Sequence, residues 1–234
     1  MNRQCSQYYL PKHVYICMAD KTLVFLDLKR DKYLCLDESQ SKSVWSYCQS
    51  PCEEQEGEGI SENLLKLLLQ NNLFTKNDSQ RKDIPAVIGK TATGEVRGYD
   101  VGSRPKINIK HIFHFLRAYL ISILRLRFYP LQKITRKIKK HKHQNRQQKT
   151  AFEKIPELIE IFKTIRPLLF STRNNCMLDA LVLMEFLNSF GVFPTWVFGV
   201  RMGPFLAHCW LQSEKIILND TLDHVAPFTP ILAI

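Results

Sequence analysis

Apolar and polar positions alternate or recur along this chain in ways that mark short strands first and helices after them. Residues 13–18 alternate loosely, and Ala19-Asp20-Lys21 supplies a turn. Residues 22–28 (TLVFLDL) are rich in β-branched and aromatic side chains, which fit a pleated, half-buried surface. Lys29-Arg30-Asp31 turns the chain again, and residues 32–36 (KYLCL) predict a third strand. Asp37 stands before a helix-periodic run through Ser41, Val44, Trp45 and Cys48, where a carboxylate suits an N-cap. A polar, acidic loop is expected over residues 49–59. Ser61 then caps a second helix, whose apolar stripe is Leu64, Leu65, Leu67, Leu68 and Leu69 and which ends near Asn71-Asn72-Leu73-Phe74.

Residues 78–108 mix Gly, Pro, Ser and charge (Pro85, Gly89, Gly94, Gly98, Gly102, Pro105), a linker composition. Helical periodicity returns over 108–128 through Ile109, Ile112, Phe113, Leu116, Leu120, Ile123 and Leu124, and Pro130 stops it. Residues 132–149 are almost wholly polar and basic. An apolar-rich helix is predicted over 155–169. The run 176–190 (CMLDALVLMEFLNSF) is apolar on nearly every side, so it predicts a helix buried on most faces. Asn174 or Asn175 suits its N-cap and Gly191 its C-terminal end. Residues 194–200, 205–212 and 215–218 read as strands joined by turns at 201–204 and 213–214. The fold class is α+β in three parts. Residues 1–80 form a small winged-helix-like unit of three strands and helices. Residues 81–150 are linker and basic amphipathic helix. Residues 151–234 are expected to pack a central helix on an antiparallel sheet, a layout that resembles papain-like and transglutaminase-like domains.

Composition changes this picture in the middle of the chain. The 234 residues carry 33 Lys and Arg against 22 Asp and Glu, a net charge of +11. Residues 101–150 hold 14 of the basic residues and none of the acidic ones, so the remainder is net −3. This block admits a solvated helix and linker, a docking surface for an acidic protein or peptide, or contact with nucleic acid or an anionic membrane. Aromatic residues do not interleave the basic tract beyond Tyr129, which argues against stacking on single strands, and nucleic acid is not the expected partner. An apolar content of 45% excludes wholesale disorder. Charges at Lys110, Arg117, Arg125 and Arg127 interrupt the best candidate membrane span. Seven cysteines and the lack of a secretory signal pattern point to reduced thiols in a cytoplasmic protein. The Cys48-x3-Cys52 pair lacks a second ligand pair, and His141 and His143 lack acidic neighbours, so no metal is expected.

The candidate chemistry lies in the last third. Cys176 falls in the first turn of the buried helix, where backbone N–H groups and the helix dipole favour a thiolate. His208 lies mid-strand on the face of Leu206 and Trp210, and Asp220 follows the third strand. A thiolate nucleophile, an imidazole to hold the ion pair and protonate a leaving amine, and a carboxylate to orient the ring make a cysteine-based acyl-transfer set. The Cys176 N–H is a candidate oxyanion donor. Pairing register decides whether His208 and Asp220 meet; Asp223 or His224 is an alternative member. Cys209 is expected on the opposite strand face, as packing.

The N-terminal layout, with "LDESQSKSVW" (residues 36–45) and "NNLF" (residues 71–74), resembles the PqqD-like recognition domain of peptide-modifying enzymes. The segments "NNCMLDALVLMEFLNSFGV" (174–192), "VFGVRMGPFLAHCWLQ" (197–212) and "IILND" (216–220) resemble the B protein of bacterial lasso peptide biosynthesis. The resemblance implies a leader peptidase with Cys176, His208 and Asp220 as its triad. It implies that the leader of a lasso precursor docks as an added strand on Lys32, Tyr33, Leu34, Cys35 and Leu36, beside Leu65, Leu68 and Leu69 of the facing helix. It further implies hand-over of the core to an asparagine synthetase-like lasso cyclase. No cofactor is expected; no G-x4-G-K-[ST] loop is present, so ATP would enter through that cyclase. Leu211-Gln212 departs from the acidic residue common in the family. The same triad serves acyl transfer to an amine, and a non-enzymatic binding protein is the remaining alternative.

Overall fold

A computed structural model describes residues 8–49, 60–80, 82, 91–96, 105–144, 154–171 and 175–234. Of the loop expected at 49–59, Gln49 ends a helix and residues 50–59, with Cys52, lie outside the described residues, as do Pro85, Gly89, Gly98, Gly102 and the candidate cap Asn174. The chain divides into two compact units, Met1–Ile88 with Val200–Leu206, and Gly89–Gly199 with Ala207–Ile234.

In the first unit, β1 (Val14–Ala19), β2 (Thr22–Asp27) and β3 (Lys32–Cys35) form an antiparallel sheet in the order β1-β2-β3. Its register runs from Val14↔Asp27 to Ala19↔Thr22 and from Val24↔Cys35 to Asp27↔Lys32. Asp20, Lys21 and Asp31 take positive φ in the two turns, the left-handed conformation that tight hairpins require. α1 (Glu38–Gln49) and α2 (Glu62–Gln70) follow. Asp37 Oδ1 accepts from the Gln40 N–H at 2.8 Å, and Ser61 accepts from the Leu64 N–H, so both expected caps form. Leu23, Phe25, Val44 and Leu68 are fully buried, and the Phe25 and Phe74 rings meet edge to face at 6.5 Å. Ser41, also fully buried, accepts from the Leu23 N–H at 2.7 Å and so ties α1 to β2.

The second unit contains β4 (Gly94–Glu95), α3 (Ile109–Phe128), α4 (Leu131–Gln144), α5 (Ile155–Ile165), α6 (Cys176–Asn188), most of β5 (Thr195–Arg201) and β6 (Leu206–Ser213), β7 (Ile216–Ile217), α7 (Leu222–Val225) and β8 (Thr229–Ala233). Its sheet has the order β4-β7-β6-β5-β8. β6 and β7 pair antiparallel with Gln212 opposite Ile217, across a turn at Glu214, and β4 pairs parallel to β7. β4 and β8 were not expected from the sequence: β4 is two residues long, and Pro230 masks the apolar run of β8.

α6 is buried on nearly all sides from Asp179 to Leu187, as its continuous apolar run requires. Phe186 meets Phe115 of α3 and Phe162 of α5, so three helices share one aromatic cluster. Part of the stretch expected as linker and basic helix therefore supplies core: Phe115, Ala118 and Ser122 of α3 are buried. α4 buries Leu131, Ile134, Thr135 and Ile138, a helix-spaced stripe inside a strongly basic sequence.

Candidate active site

The pairing of β6 with β7 carries the site. Its register continues past β7, where the Leu218 N–H donates to the Leu211 carbonyl at 2.9 Å, and brings Asp220 beside the His208–Cys209 step of β6. His208 Nε2 and Asp220 Oδ2 lie 2.5 Å apart, and both side chains are about 15% exposed, at 14% and 15%. The structure thus brings His208 and Asp220 together, which the sequence left open. Cys176 opens α6 and hydrogen-bonds the His208 ring. With Nε2 held by Asp220, Nδ1 is the ring nitrogen left for the sulfur.

The electrostatics follow from these contacts. The Cys176 thiol is lowered to about 4, first by a hydrogen bond from the Cys209 side chain. Burial opposes this shift, and the His208 ring, the Cys209 backbone and the imidazolium charge add to it. Burial of His208 disfavours its charged form, but hydrogen bonds to Asp220 and Cys176 outweigh that and raise it to about 9. Burial likewise works against the Asp220 carboxylate. Hydrogen bonds from His208, the Thr221 N–H and His224 prevail and lower its pKa. Thiolate and imidazolium therefore coexist across neutral pH, as a nucleophilic cysteine needs.

Cys209 corrects an expectation. It is buried, 2% exposed, but it is not packing alone. Its thiol and its backbone both hydrogen-bond the Cys176 sulfur. The sulfur reaches the β6 backbone itself, so it meets both of two successive residues whose side chains diverge to opposite faces. The Cys209 thiol is pushed well above its usual range by that bond and by burial, so it stays protonated as a donor.

The expected cap at Asn175 also differs. Asn175 occupies the N-cap position but its side chain donates to the Ser171 carbonyl and makes no cap bond.

Two further groups complete the site: Asp179, which the sequence reading missed, and His224, which it offered only as a substitute for Asp220 or His208. Asp179, 2% exposed in the first turn of α6, is paired with Arg166 at 3.1 Å and accepts from Asn219 Nδ2 at 2.8 Å. Asn219 Oδ1 accepts in turn from the Leu211 N–H at 2.8 Å, which fixes the loop just before Asp220. His224 is the second: its Nδ1 lies 2.8 Å from Asp220 Oδ1, so one carboxylate serves two imidazoles. A signal for both lay in the sequence, in the i, i+3 spacing of Cys176 and Asp179 and the i, i+4 spacing of Asp220 and His224. His208, Asp220 and His224 also place ligand atoms within 4.8 Å of one another, close enough to share a transition-metal ion.

Gly199 matters for close approach. A Cβ there would lie 2.9 Å from the Trp210 ring, and that ring lies nearly parallel to His208 at 6.1 Å. Cys176, Asp179, His208, Cys209, Asp220 and His224 line one open cleft of about 480 Å³.

In the first unit, β3 stands at the edge of its sheet. Lys32 and Cys35 are exposed, and Tyr33, Leu34, Leu65 and Leu69 are half-buried. Leu36 and Leu68, also expected to line a peptide, are 4% and 0% exposed, so their side chains fill the core.

Residues 118–233 match the family described as Transglutaminase-like superfamily. This part of the chain is a transglutaminase-like domain, of a superfamily whose members are generally cysteine-based enzymes. No curated protein and no solved structure matches the chain significantly. No described helix is long and apolar enough to cross a membrane.

Proposed function

We propose that the protein is a cysteine peptidase that removes the leader from a lasso peptide precursor. The observation that carries the reading is the Cys176–His208–Asp220 arrangement at the start of a buried helix in a transglutaminase-like domain. The Cys176 thiolate attacks the carbonyl carbon of the junction peptide. The bond to nitrogen breaks as His208 gives its proton to the departing amine, and a thioester remains. His208, now neutral, takes a proton from water, and the hydroxide displaces the thiolate to release the leader as a carboxylic acid. Asp220 keeps the ring oriented and favours its charged form. The Cys176 backbone N–H serves as an oxyanion donor.

The position of β3 at the edge of its sheet supports leader docking as an antiparallel strand on residues 32–35, with Leu65 and Leu69 of α2 beside it. The freed core then passes to an ATP-dependent cyclase. Acyl transfer to an amine uses the same three groups and is distinguished by its product.

The test is mass spectrometry of a lasso precursor incubated with this protein and with Cys176→Ala, each with and without a lasso cyclase. Two fragments that vanish in the variant support the peptidase. A conjugate identifies a transferase. An intact precursor in every mixture overturns both.

A further inference from the structure

α3 presents a second apolar face that the core does not use. Its buried side is Phe115, Ala118 and Ser122. On the other side, Ile109, Phe113, Leu116, Leu120, Leu124 and Phe128 are 77%, 63%, 49%, 59%, 45% and 70% exposed. Their spacing of three and four residues puts them on one stripe of a 20-residue helix, about 30 Å long. The stripe gains width from a second element. Phe170 stacks on Tyr119 of α3 at 5.5 Å, and the same turn exposes Leu168 (79%) and Leu169 (40%). Isolated exposed apolar residues are ordinary, but a contiguous run of this size marks an interaction surface.

The charges around the stripe identify what it meets. Lys106, Lys110, Arg117 and Arg127 are all exposed along its length, and the whole of residues 101–150 contains no carboxylate. A helix with bulky apolar residues on one face and only cations beside them is the pattern of a segment that lies in a bilayer interface. Acyl chains accept the apolar ridge and anionic headgroups answer the cations, without any need for a shaped pocket. Phe113 toward one end and Phe128 with Tyr129 at the other sit at headgroup level in such a pose. The helix is not long and apolar enough to span, so such a pose is one along the surface.

We propose that α3 docks the protein on an anionic membrane surface, with its axis in the plane of the headgroups. The proposal does not depend on the peptidase reading.

Full-length protein is sedimented with phosphatidylcholine vesicles, with or without a quarter of phosphatidylglycerol, alongside a Leu120→Glu/Leu124→Glu variant. Both substituted positions are exposed, so the variant keeps its core, and its circular dichroism and melting curve are checked against the parent. The expected result is co-sedimentation with the anionic vesicles, weaker on the neutral ones, and a partition coefficient at least about tenfold lower for the variant. Failure of the parent to bind anionic vesicles overturns the proposal, as does unchanged binding by the folded variant. A parent that stays off vesicles and dimerises, with the variant monomeric, also overturns it and assigns the stripe to a second copy of the chain.

Discussion

Replacing Cys209 with alanine removes the thiol that hydrogen-bonds the Cys176 sulfur while leaving His208 and Asp220 in place. A hydrogen bond to a charged group is worth ~1.5–3 kcal/mol. One pKa unit corresponds to about 1.4 kcal/mol. The full bond would therefore hold the Cys176 pKa down by about one to two units, and a thiol is a weak donor, which favours the lower figure, about one unit. The backbone bond from residue 209 survives the substitution, as does the imidazolium. The expected outcome is a rise of Cys176 from about 4 toward about 5 in Cys209→Ala. Cys209→Ser keeps a donor and should stay near the parent. The assay is the pH dependence of iodoacetamide alkylation, with Cys176 followed alone by peptide mass spectrometry. An unmoved midpoint in Cys209→Ala, with the His208 contact intact, would refute the reasoning and return Cys209 to packing.

Four other outcomes are expected. The pH profile of kcat/KM should be bell-shaped, falling below about 4 as Cys176 protonates and above about 9 as His208 loses its proton. Asp220→Asn should lower kcat/KM roughly 10²–10⁴-fold and shift the alkaline limb to lower pH, because the carboxylate that raises His208 is gone. Arg166→Ala leaves the buried Asp179 carboxylate unpaired and should cost ~3 kcal/mol in urea denaturation, less if Asp179 takes up a proton. Leu68→Ala should destabilise by ~2–5 kcal/mol, whereas Leu65→Ala, at a half-buried position, should weaken precursor binding in calorimetry with little loss of stability.

The places of Cys176 and His208 were legible because each sits on an element with a strong sequence signal, whereas Asp220 lies in a loop between β7 and α7. Cys176 opens an apolar run that admits only a buried helix, and His208 lies in a short run rich in apolar and aromatic residues, bounded by turns. What alternation cannot give is register. The Gln212↔Ile217 pairing decides that Asp220 reaches His208, and it depends on a two-residue turn through Glu214 at positive φ. Cys209 was misread because strand period separates neighbouring side chains but says nothing of an atom that comes up to the backbone between them. The buried stripe of α4 was hidden by its composition. Leu131, Ile134, Thr135 and Ile138 keep helical spacing, but the lysines and arginines between them dominate a reading by charge. In the first unit nearly every boundary was readable, since caps at Asp37 and Ser61 and turns at 19–21 and 29–31 are local chemistry.

The short strand β4 changes where this domain can be cut. The Thr93 and Val96 N–H groups donate to the Lys215 and Ile217 carbonyls, and Glu95 Oε2 accepts from the Leu222 N–H at 2.6 Å. Those bonds close the outer edge of β7 and pin the loop on which Asp220 sits. They come from residues more than 20 positions ahead of the family match, which begins at 118. A recombinant fragment trimmed to the matched residues would leave the Lys215 and Ile217 carbonyls orphaned along the β7 edge and free the Leu222 N–H two residues beyond Asp220. Excision should therefore begin upstream of residue 93, and inactivity of a shorter piece would report a lost edge strand rather than a missing catalytic group.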